Sequence, residues 1–280
     1  MTEFICETCG VQHAARADDP GVPPDSCAIC SDERQYVGWR GQRWTTLDDL
    51  RASRKIEVTP LPDESGAWSI ETKPTIAIGQ RAVLIQTPVG NLLWDSQSLI
   101  DDAAIVRIRE LGGIAAIAIS HPHFYSAMVE WSHAFDAPIW LHASDRDWVK
   151  RPDRAIRRWH GPEGDPLPGS GLRLVQVGGH FPGCTALVWP AGAAGRGALF
   201  CGDMPMVVAD RDWLSFMYSY PNLIPMPPVE VDRITTTLLG HRFDRIYSSW
   251  PDRVLASGAH DALRRSAARY RERSARLPWT

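Results

Sequence analysis

Four of the six cysteines fall into two tight pairs near the start of the chain, and this pattern limits how that part can fold. Cys6 and Cys9 lie in "CETCG", and Cys27 and Cys30 lie in "CAIC". Two residues between thiolates let a tight turn point both sulfurs at one ion, and two such turns complete a tetrahedral site. Because residues 1–45 are too few for a good core, the sequence predicts that a metal ion holds this segment together.

The cysteine segment resembles a zinc ribbon, and it is also similar to the rubredoxin knuckle, in which the same four thiolates hold iron. Zinc is the default ion, because so small a segment needs a metal to fold, but the spacing does not distinguish the two ions. Paired cysteines of this kind indicate metal binding in a reducing compartment rather than disulfides. Cys184 and Cys201 have no such partners, and we expect buried core thiols there.

Residues 46–280 are predicted to form one larger domain, and 44% hydrophobic residues allow a substantial core. "WTTLDDLRASR" indicates a short linking helix with a threonine cap. Short β-rich runs follow, namely "KIEVTPL", "AWSIETK", "TIAIG", "RAVLIQT" and "GNLLWDS". The chain then alternates between strands and helices, with helices near 126–135, 229–240 and 252–273. This order predicts an α/β protein with two sheets sandwiched between helices.

A second group of candidate metal ligands lies where predicted strands end. His121 and His123 follow the run "GIAAIAIS", His180 lies in the glycine-rich "QVGGHFPG", and Asp203 ends "ALFCGD". Histidine is the commonest metal ligand among side chains, and strand ends can direct side chains into a shared cleft. The sequence therefore predicts an active-site metal held by these four residues.

With these motifs the chain resembles the metallo-β-lactamase superfamily over about residues 70–255. That family has a strand followed by His-x-His-x-Asp-His, a histidine in a "GHTPG" turn, a "GD" aspartate and a late histidine. The matching stretches here are "HPHFYS", "GGHFPG", "CGD" and "YSSWP". The resemblance implies a four-layer αββα sandwich and a small-molecule substrate. It also implies a three-histidine metal site at His121, His123 and His180, with Asp203 as the bridging carboxylate.

The departures from the family pattern all fall on its second metal. Tyr125 stands in place of the second-site aspartate, Ser126 in place of the adjacent histidine, and Trp250 in place of the late histidine. This selective loss predicts a single-metal centre, in which Asp203 is a fourth ligand or orients the water. Tyr125 either donates to an oxyanion as a neutral phenol or packs over the vacated site. Ser126 is expected to cap the following helix.

Aromatic residues are concentrated in "DWLSFMYSYPNLIPMPP", residues 212–228, directly after the "GD" turn. Long irregular segments in compact domains often form binding loops. Trp213, Phe216, Tyr218 and Trp250 are therefore candidates for an apolar wall against the substrate. The alternative is that these side chains pack in the core or in a homodimer interface. The remaining histidines show no partner pattern and are expected to be structural or exposed; they are His133, His142, His160, His241 and His260.

Charge and hydropathy restrict the function classes. A net charge of -3 and the absence of a basic stripe interleaved with aromatics argue against nucleic-acid binding. No run of some twenty apolar residues or signal-like start is seen, so a cytoplasmic protein without membrane association is expected.

Three functions remain open from the sequence. The first is a zinc hydrolase that activates water for attack on an ester, thioester, amide or phosphate. The second is a single-iron oxygenase or redox enzyme of the same fold, with a two-histidine, one-carboxylate set. The third is a binding protein with a degenerate site, which would have no catalytic activity.

Overall fold

The computed structural model describes residues 2–275. Strand β1 (Ile5–Cys6) pairs antiparallel with β2 (Trp44–Thr45) and closes the cysteine segment. Helix α1 (Leu47–Ser53) follows at once. Its N-terminus is a capping box, in which the Thr46 side chain accepts from the Asp49 amide while the Asp49 carboxylate accepts from the Thr46 amide. The predicted threonine cap is confirmed.

The first sheet has seven strands, which lie in the sheet in chain order. Its elements along the chain are β3 (Lys55–Pro60), β4 (Ala67–Lys73), β5 (Ala82–Thr87), β6 (Gly90–Trp94), α2 (Asp102–Glu110), β7 (Ala116–Ala118), α3 (Met128–Phe135), β8 (Ile139–His142) and β9 (Ile156–Trp159). Strands β3 to β6 pair antiparallel, and β6 to β9 pair parallel. Helices α2 and α3 lie in two of the three crossovers that parallel pairing requires, and residues 143–155, which include a 3₁₀ segment, form the third.

The second sheet has six strands in the order β10-β11-β12-β13-β18-β19. The elements in chain order are β10 (Glu163–Gly164), β11 (Arg173–Gln176), β12 (Thr185–Trp189), β13 (Ala198–Cys201), β14 (Met206–Val207), β15 (Leu214–Ser215), β16 (Met217–Ser219), β17 (Ile224–Pro225), α4 (Pro228–Leu239), β18 (Arg245–Tyr247), β19 (Val254–Leu255) and α5 (Ala259–Ala275). Strands β14 to β17 form two small hairpins outside the sheet.

Side chains divide into three apolar layers, and this division defines the architecture. Leu174, Phe200 and Tyr247 pack between the two sheets, together with Ala116 and Ala118 of β7. Ile117 of the same strand lies in the layer beneath α2 and α3. A further layer joins the second sheet to α4 and α5. The predicted αββα sandwich is confirmed. Successive side chains of a strand point to opposite faces of the sheet, so each sheet packs against the other sheet on one face and against helices on the other.

Two sequence-based assignments are wrong. The run "TIAIG" forms a turn rather than a strand, with Ala77 at a φ of 53°. Its alternation arises because Ile76 and Ile78 pack against the core from a loop. The last helix begins at Ala259 rather than near residue 252, because Val254–Leu255 pairs with β18 as an edge strand.

The cysteine segment packs directly on the larger domain. The Gln12 amide donates to the carbonyl of Ser126, and the Ser98 hydroxyl donates to the carbonyl of Gly10 at 2.8 Å. The four cysteines lie in the same apolar layer as helices α2 and α3. The domain boundary after residue 45 stays a prediction, and Met1 and residues 276–280 lie outside the described residues. Among residues 2–275, no helix is long and apolar enough to cross a membrane.

Candidate metal centre

The fold brings the four predicted ligands together at one end of the two sheets. His121 and His123 lie around the short 3₁₀ turn Pro122–Phe124 that follows β7. His180 lies in the turn between β11 and β12, and Asp203 follows β13. One ligand atom from each of these four residues lies within 4.8 Å of the others, and all four residues are buried.

The distances between the ligand atoms fit a single ion. Nε2 of His180 lies 3.1 Å from Nδ1 of His123, and Oδ2 of Asp203 lies 3.5 Å from Nε2 of both His121 and His180. Ligands at zinc's usual bond lengths are separated by about 3.3 Å in a tetrahedron. Nε2 of His121 and Oδ1 of Asp203 are buried without hydrogen-bond partners in the described structure. Three nitrogens and one carboxylate therefore converge as a metal-binding donor set suited to zinc or iron.

Hydrogen bonds behind the histidines fix their orientation. Oγ of Ser120 lies 2.9 Å from Nδ1 of His121, and Nδ1 of His180 lies 2.7 Å from the Tyr218 carbonyl, to which it donates. Asp95 holds Ser120 in turn by accepting from its backbone amide at 2.8 Å. Such outer contacts set the tautomer of a ligating histidine and direct its other nitrogen to the metal.

Burial and neighbouring charges set the pKa values of the candidate ligands. Desolvation lowers the pKa of His180 to about 4, although Asp203 opposes the shift, and it lowers the pKa of His123 well below the usual value. Burial alone would raise the pKa of Asp203, but His121 and His180 outweigh it and lower that pKa. Neutral imidazoles and an ionised carboxylate at pH 7 are the forms that bind a metal.

Gly202, in "CGD", is required by close packing against the ligands. A Cβ atom there would lie 2.5 Å from Oγ of Ser120 and 2.8 Å from Nδ1 of His121. Only glycine lets β13 pass this close to the histidine turn.

Tyr125, Ser126 and Trp250, which the resemblance sets in place of second-site ligands, occupy different surroundings. Tyr125 is 2% exposed in the core, and burial raises its pKa well above the usual value. Ser126 has a φ of 43° and accepts from Nε2 of Gln80 at 3.0 Å. The expectation that Ser126 caps α3 is wrong, because Ala127 is the N-cap and has no side-chain hydrogen bond. Trp250 donates to the Ile78 carbonyl at 3.1 Å.

Of the four residues predicted to form the substrate wall, two lie near the histidine centre and two lie elsewhere. The carbonyl of Tyr218 accepts from His180, and Trp250 packs edge-on to Phe124, the aromatic neighbour of His121. The structure does not bring the other two residues to the histidines. Phe216 is fully buried against Tyr270. The Trp213 ring lies beneath the guanidinium groups of Arg265 and Arg269, which belong to α5. A substrate-binding role for these residues stays a prediction.

Sequence reasoning missed Arg34, which extends from the cysteine segment to the histidine centre. Its guanidinium lies 4.0 Å from the Phe181 ring, donates to the His180 carbonyl at 3.2 Å and pairs with Asp32 at 2.6 Å. Behind the same turn, buried Asp145 accepts from the Gly183 amide at 2.7 Å. In the sequence Arg34 looks like one more exposed charge in "SDERQY", so no local pattern reveals its position.

The four cysteines form a second candidate metal centre. Their sulfurs are buried, with 3.6 Å between Cys6 and Cys30 and 3.6 Å between Cys9 and Cys27. Sulfurs around tetrahedral zinc are separated by about 3.8 Å. Nε2 of Gln42 donates to the sulfur of Cys6 at 3.2 Å. Hydrogen bonds from Cys30 and Cys6 hold the pKa of Cys27 far below its usual range. The donor set therefore fits one tetrahedral ion.

The two other cysteines are buried, as predicted, at 0% exposure for Cys184 and 1% for Cys201. Burial raises the pKa of both thiols, which disfavours the reactive thiolate form.

No known family model matches the chain. The sequence is 47% identical to an uncharacterized protein of Bacillus subtilis (strain 168), YmaE, over 270 residues, which are 96% of each chain.

Solved metallo-β-lactamases have the same fold. DIM-1 matches with a TM-score of 0.57 and 11% identity, over 78% of this chain and 98% of its own. SMB-1, in complex with mercaptoacetic acid, matches with a TM-score of 0.53 and 17% identity, over 78% and 94%. MEM-A1, from a soil metagenome library, matches with a TM-score of 0.53 and 16% identity, over 77% and 94%. At these identities the likeness is one of fold.

Proposed function

Because the chain belongs to the same family as Bacillus subtilis YmaE and has the metallo-β-lactamase fold, we propose that it is a metal-dependent hydrolase with a single-metal active site. The observation that supports this function is the buried convergence of His121, His123, His180 and Asp203, in which Nε2 of His121 and Oδ1 of Asp203 have no hydrogen-bond partner. A structural protein gains nothing from leaving such atoms unpaired.

Zinc is the proposed ion, and when bound it would lower the pKa of a coordinated water to about 7. The protein's own contribution is to hold three buried imidazoles together and to keep a carboxylate beside them. Asp203 is the most exposed of the four at 6%, and its Oδ1 is free to accept a hydrogen bond. We propose that Asp203 orients the attacking water and accepts its proton. The burial of Tyr125 supports its packing role over a role as oxyanion donor.

The second candidate function is oxygen or redox chemistry at iron. Asp203 lies 3.5 Å from both His121 and His180, which together offer a two-histidine, one-carboxylate face. The cysteine centre would then hold iron for electron transfer. The substrate in either case is proposed to be a small molecule, and the six free cysteines support a cytoplasmic location.

Metal content tests these alternatives first. We would measure metals per chain by inductively coupled plasma mass spectrometry in the wild type, in the His121→Ala/His123→Ala variant, and in His133→Ala as a control. His133 is an exposed histidine paired with Asp153. Two zinc ions falling to one only in the double variant would support the zinc hydrolase, and iron lost in that variant would support the second function. Equal metal content in all three proteins would refute both.

Activity is tested next with ester and thioester substrates. Asp203→Asn should lower kcat by about 100-fold or more, as expected for a lost general base. Full activity in the double-histidine variant would contradict the proposal.

A further inference from the structure

A cavity of about 310 Å³ lies beside β3 and β19, the edge strands of the two sheets. Its lining includes three arginines, Arg81, Arg211 and Arg245, with Tyr247 and Ala256. Cavities of this size hold small ligands in other proteins. None of these residues belongs to either candidate metal centre.

Arg81 is a buried cation without an ion-pair partner. The residue is 3% exposed, and its Nη2 donates to the Ser248 carbonyl at 3.3 Å. Its Nε has no hydrogen-bond partner, its guanidinium carbon lies 5.7 Å from the centre of the Tyr247 ring, and among residues 2–275 no carboxylate forms an ion pair with it. Burial lowers the pKa of Arg81 to about 10, so the group stays charged at pH 7. The carboxylates that act on it from a distance, Glu71 and Asp252, pair with other side chains.

Arg245, a half-buried arginine of the same cavity, has a carboxylate partner. Its Nη1 lies 3.1 Å from Oε2 of Glu64, and the hydroxyl of Tyr247 donates to the same oxygen at 2.8 Å. Arg245 is therefore neutralised within the fold. Arg211, Asp63 and Asp212 are exposed at the mouth of the cavity, where water screens their charges. The unpaired charge inside the cavity belongs to Arg81.

We propose that this cavity binds a small oxyanion, a carboxylate or phosphate group, with the Arg81 guanidinium as its buried counter-ion. A buried charge without a partner is unfavourable, and an anion in the cavity removes that penalty. The planar guanidinium donates two parallel hydrogen bonds to either group. This site does not depend on the proposed hydrolase activity, since its donors are separate from the metal ligands.

Isothermal titration calorimetry with inorganic phosphate and with succinate, at constant ionic strength, tests the site directly. We expect one of the two anions to bind once per chain, and Arg81→Gln to weaken its binding at least tenfold. The matched control is Arg264→Gln, an exposed arginine on α5 that pairs with Asp261, and it should bind as the wild type does. The better ligand of the two identifies the anionic group.

A second variant keeps Arg81 and closes the cavity instead. Ala256 is exposed at the rim, so Ala256→Trp should fold normally and still abolish binding. If Arg81→Gln fails to fold, Ala256→Trp still tests whether the anion binds in this cavity. In anion-free buffer, Arg81→Gln should also raise Tm, because it removes an unpaired buried charge. If the wild type binds neither anion at about 10 mM, or if Ala256→Trp binds as the wild type does, the proposal is overturned.

Discussion

Replacing Gly202 with alanine should disable the histidine centre without removing any ligand. The added Cβ would lie 2.5 Å from Oγ of Ser120 and 2.8 Å from Nδ1 of His121, whereas ordinary contacts begin at 3.4 Å. Either the backbone at residue 202 or the Ser120 side chain must therefore move by about 0.9 Å. Metal ligands tolerate errors of only about 0.2 Å, so His121 would leave its binding position.

The expected magnitude has two parts. Breaking the contact between Ser120 and His121 should lower metal affinity at the histidine centre by about 10- to 100-fold. Overpacking of this kind also lowers the free energy of unfolding by about 1–3 kcal/mol. The cysteine centre should keep its ion, because Gly202 does not touch it.

Competition with a chromophoric chelator measures the affinity, and urea unfolding measures the stability. The control is Gly21→Ala, whose added Cβ would meet nothing closer than Oδ1 of Asp19 at 3.7 Å. Wild-type affinity in Gly202→Ala would refute the claim that close packing at this glycine positions His121.

Three further predictions concern the surroundings of the site. Arg34→Gln removes a charged hydrogen bond to the His180 carbonyl and a stacked cation, so the free energy of unfolding in urea should fall by about 2–4 kcal/mol; a change below about 0.5 kcal/mol would contradict this. Cys27→Ser should lose one metal per chain by mass spectrometry and expose residues 2–45 to limited proteolysis; retained metal would disprove the tetrahedral site. Burial raises the pKa of Asp145 to about 6, so between pH 4 and 6 the folded chain holds a proton that the unfolded chain has lost. The free energy of unfolding should therefore fall as pH rises through that range, and Asp145→Asn should remove a slope of up to about 1.4 kcal/mol per pH unit in urea titrations; an unchanged slope would refute it.

Sequence patterns predict the site better than its surroundings. His121, His180 and Asp203 are recognisable because each follows a strand, and a strand fixes where its end points. "TIAIG" shows the limit, since Ile76 and Ile78 alternate as in a strand but reach the core from a turn. Alternating apolar residues show which side chains are buried, and a loop packed on the core can have the same alternation as a strand.

The sequence by itself determined the metal-ligand sets and the αββα order, because spacing and hydrophobic periodicity are local properties of the chain. Only the tertiary structure decided which distant groups meet. Arg34 stacks on Phe181, and Arg81 faces a cavity whose carboxylates, Asp63 and Asp212, do not pair with it, although nothing near either arginine in the sequence indicates this. The physical reason is that an ion pair, a stacked ring and a buried unpaired charge depend on distances between residues far apart in the chain. Those distances exist only after the sheets and the cysteine segment have packed.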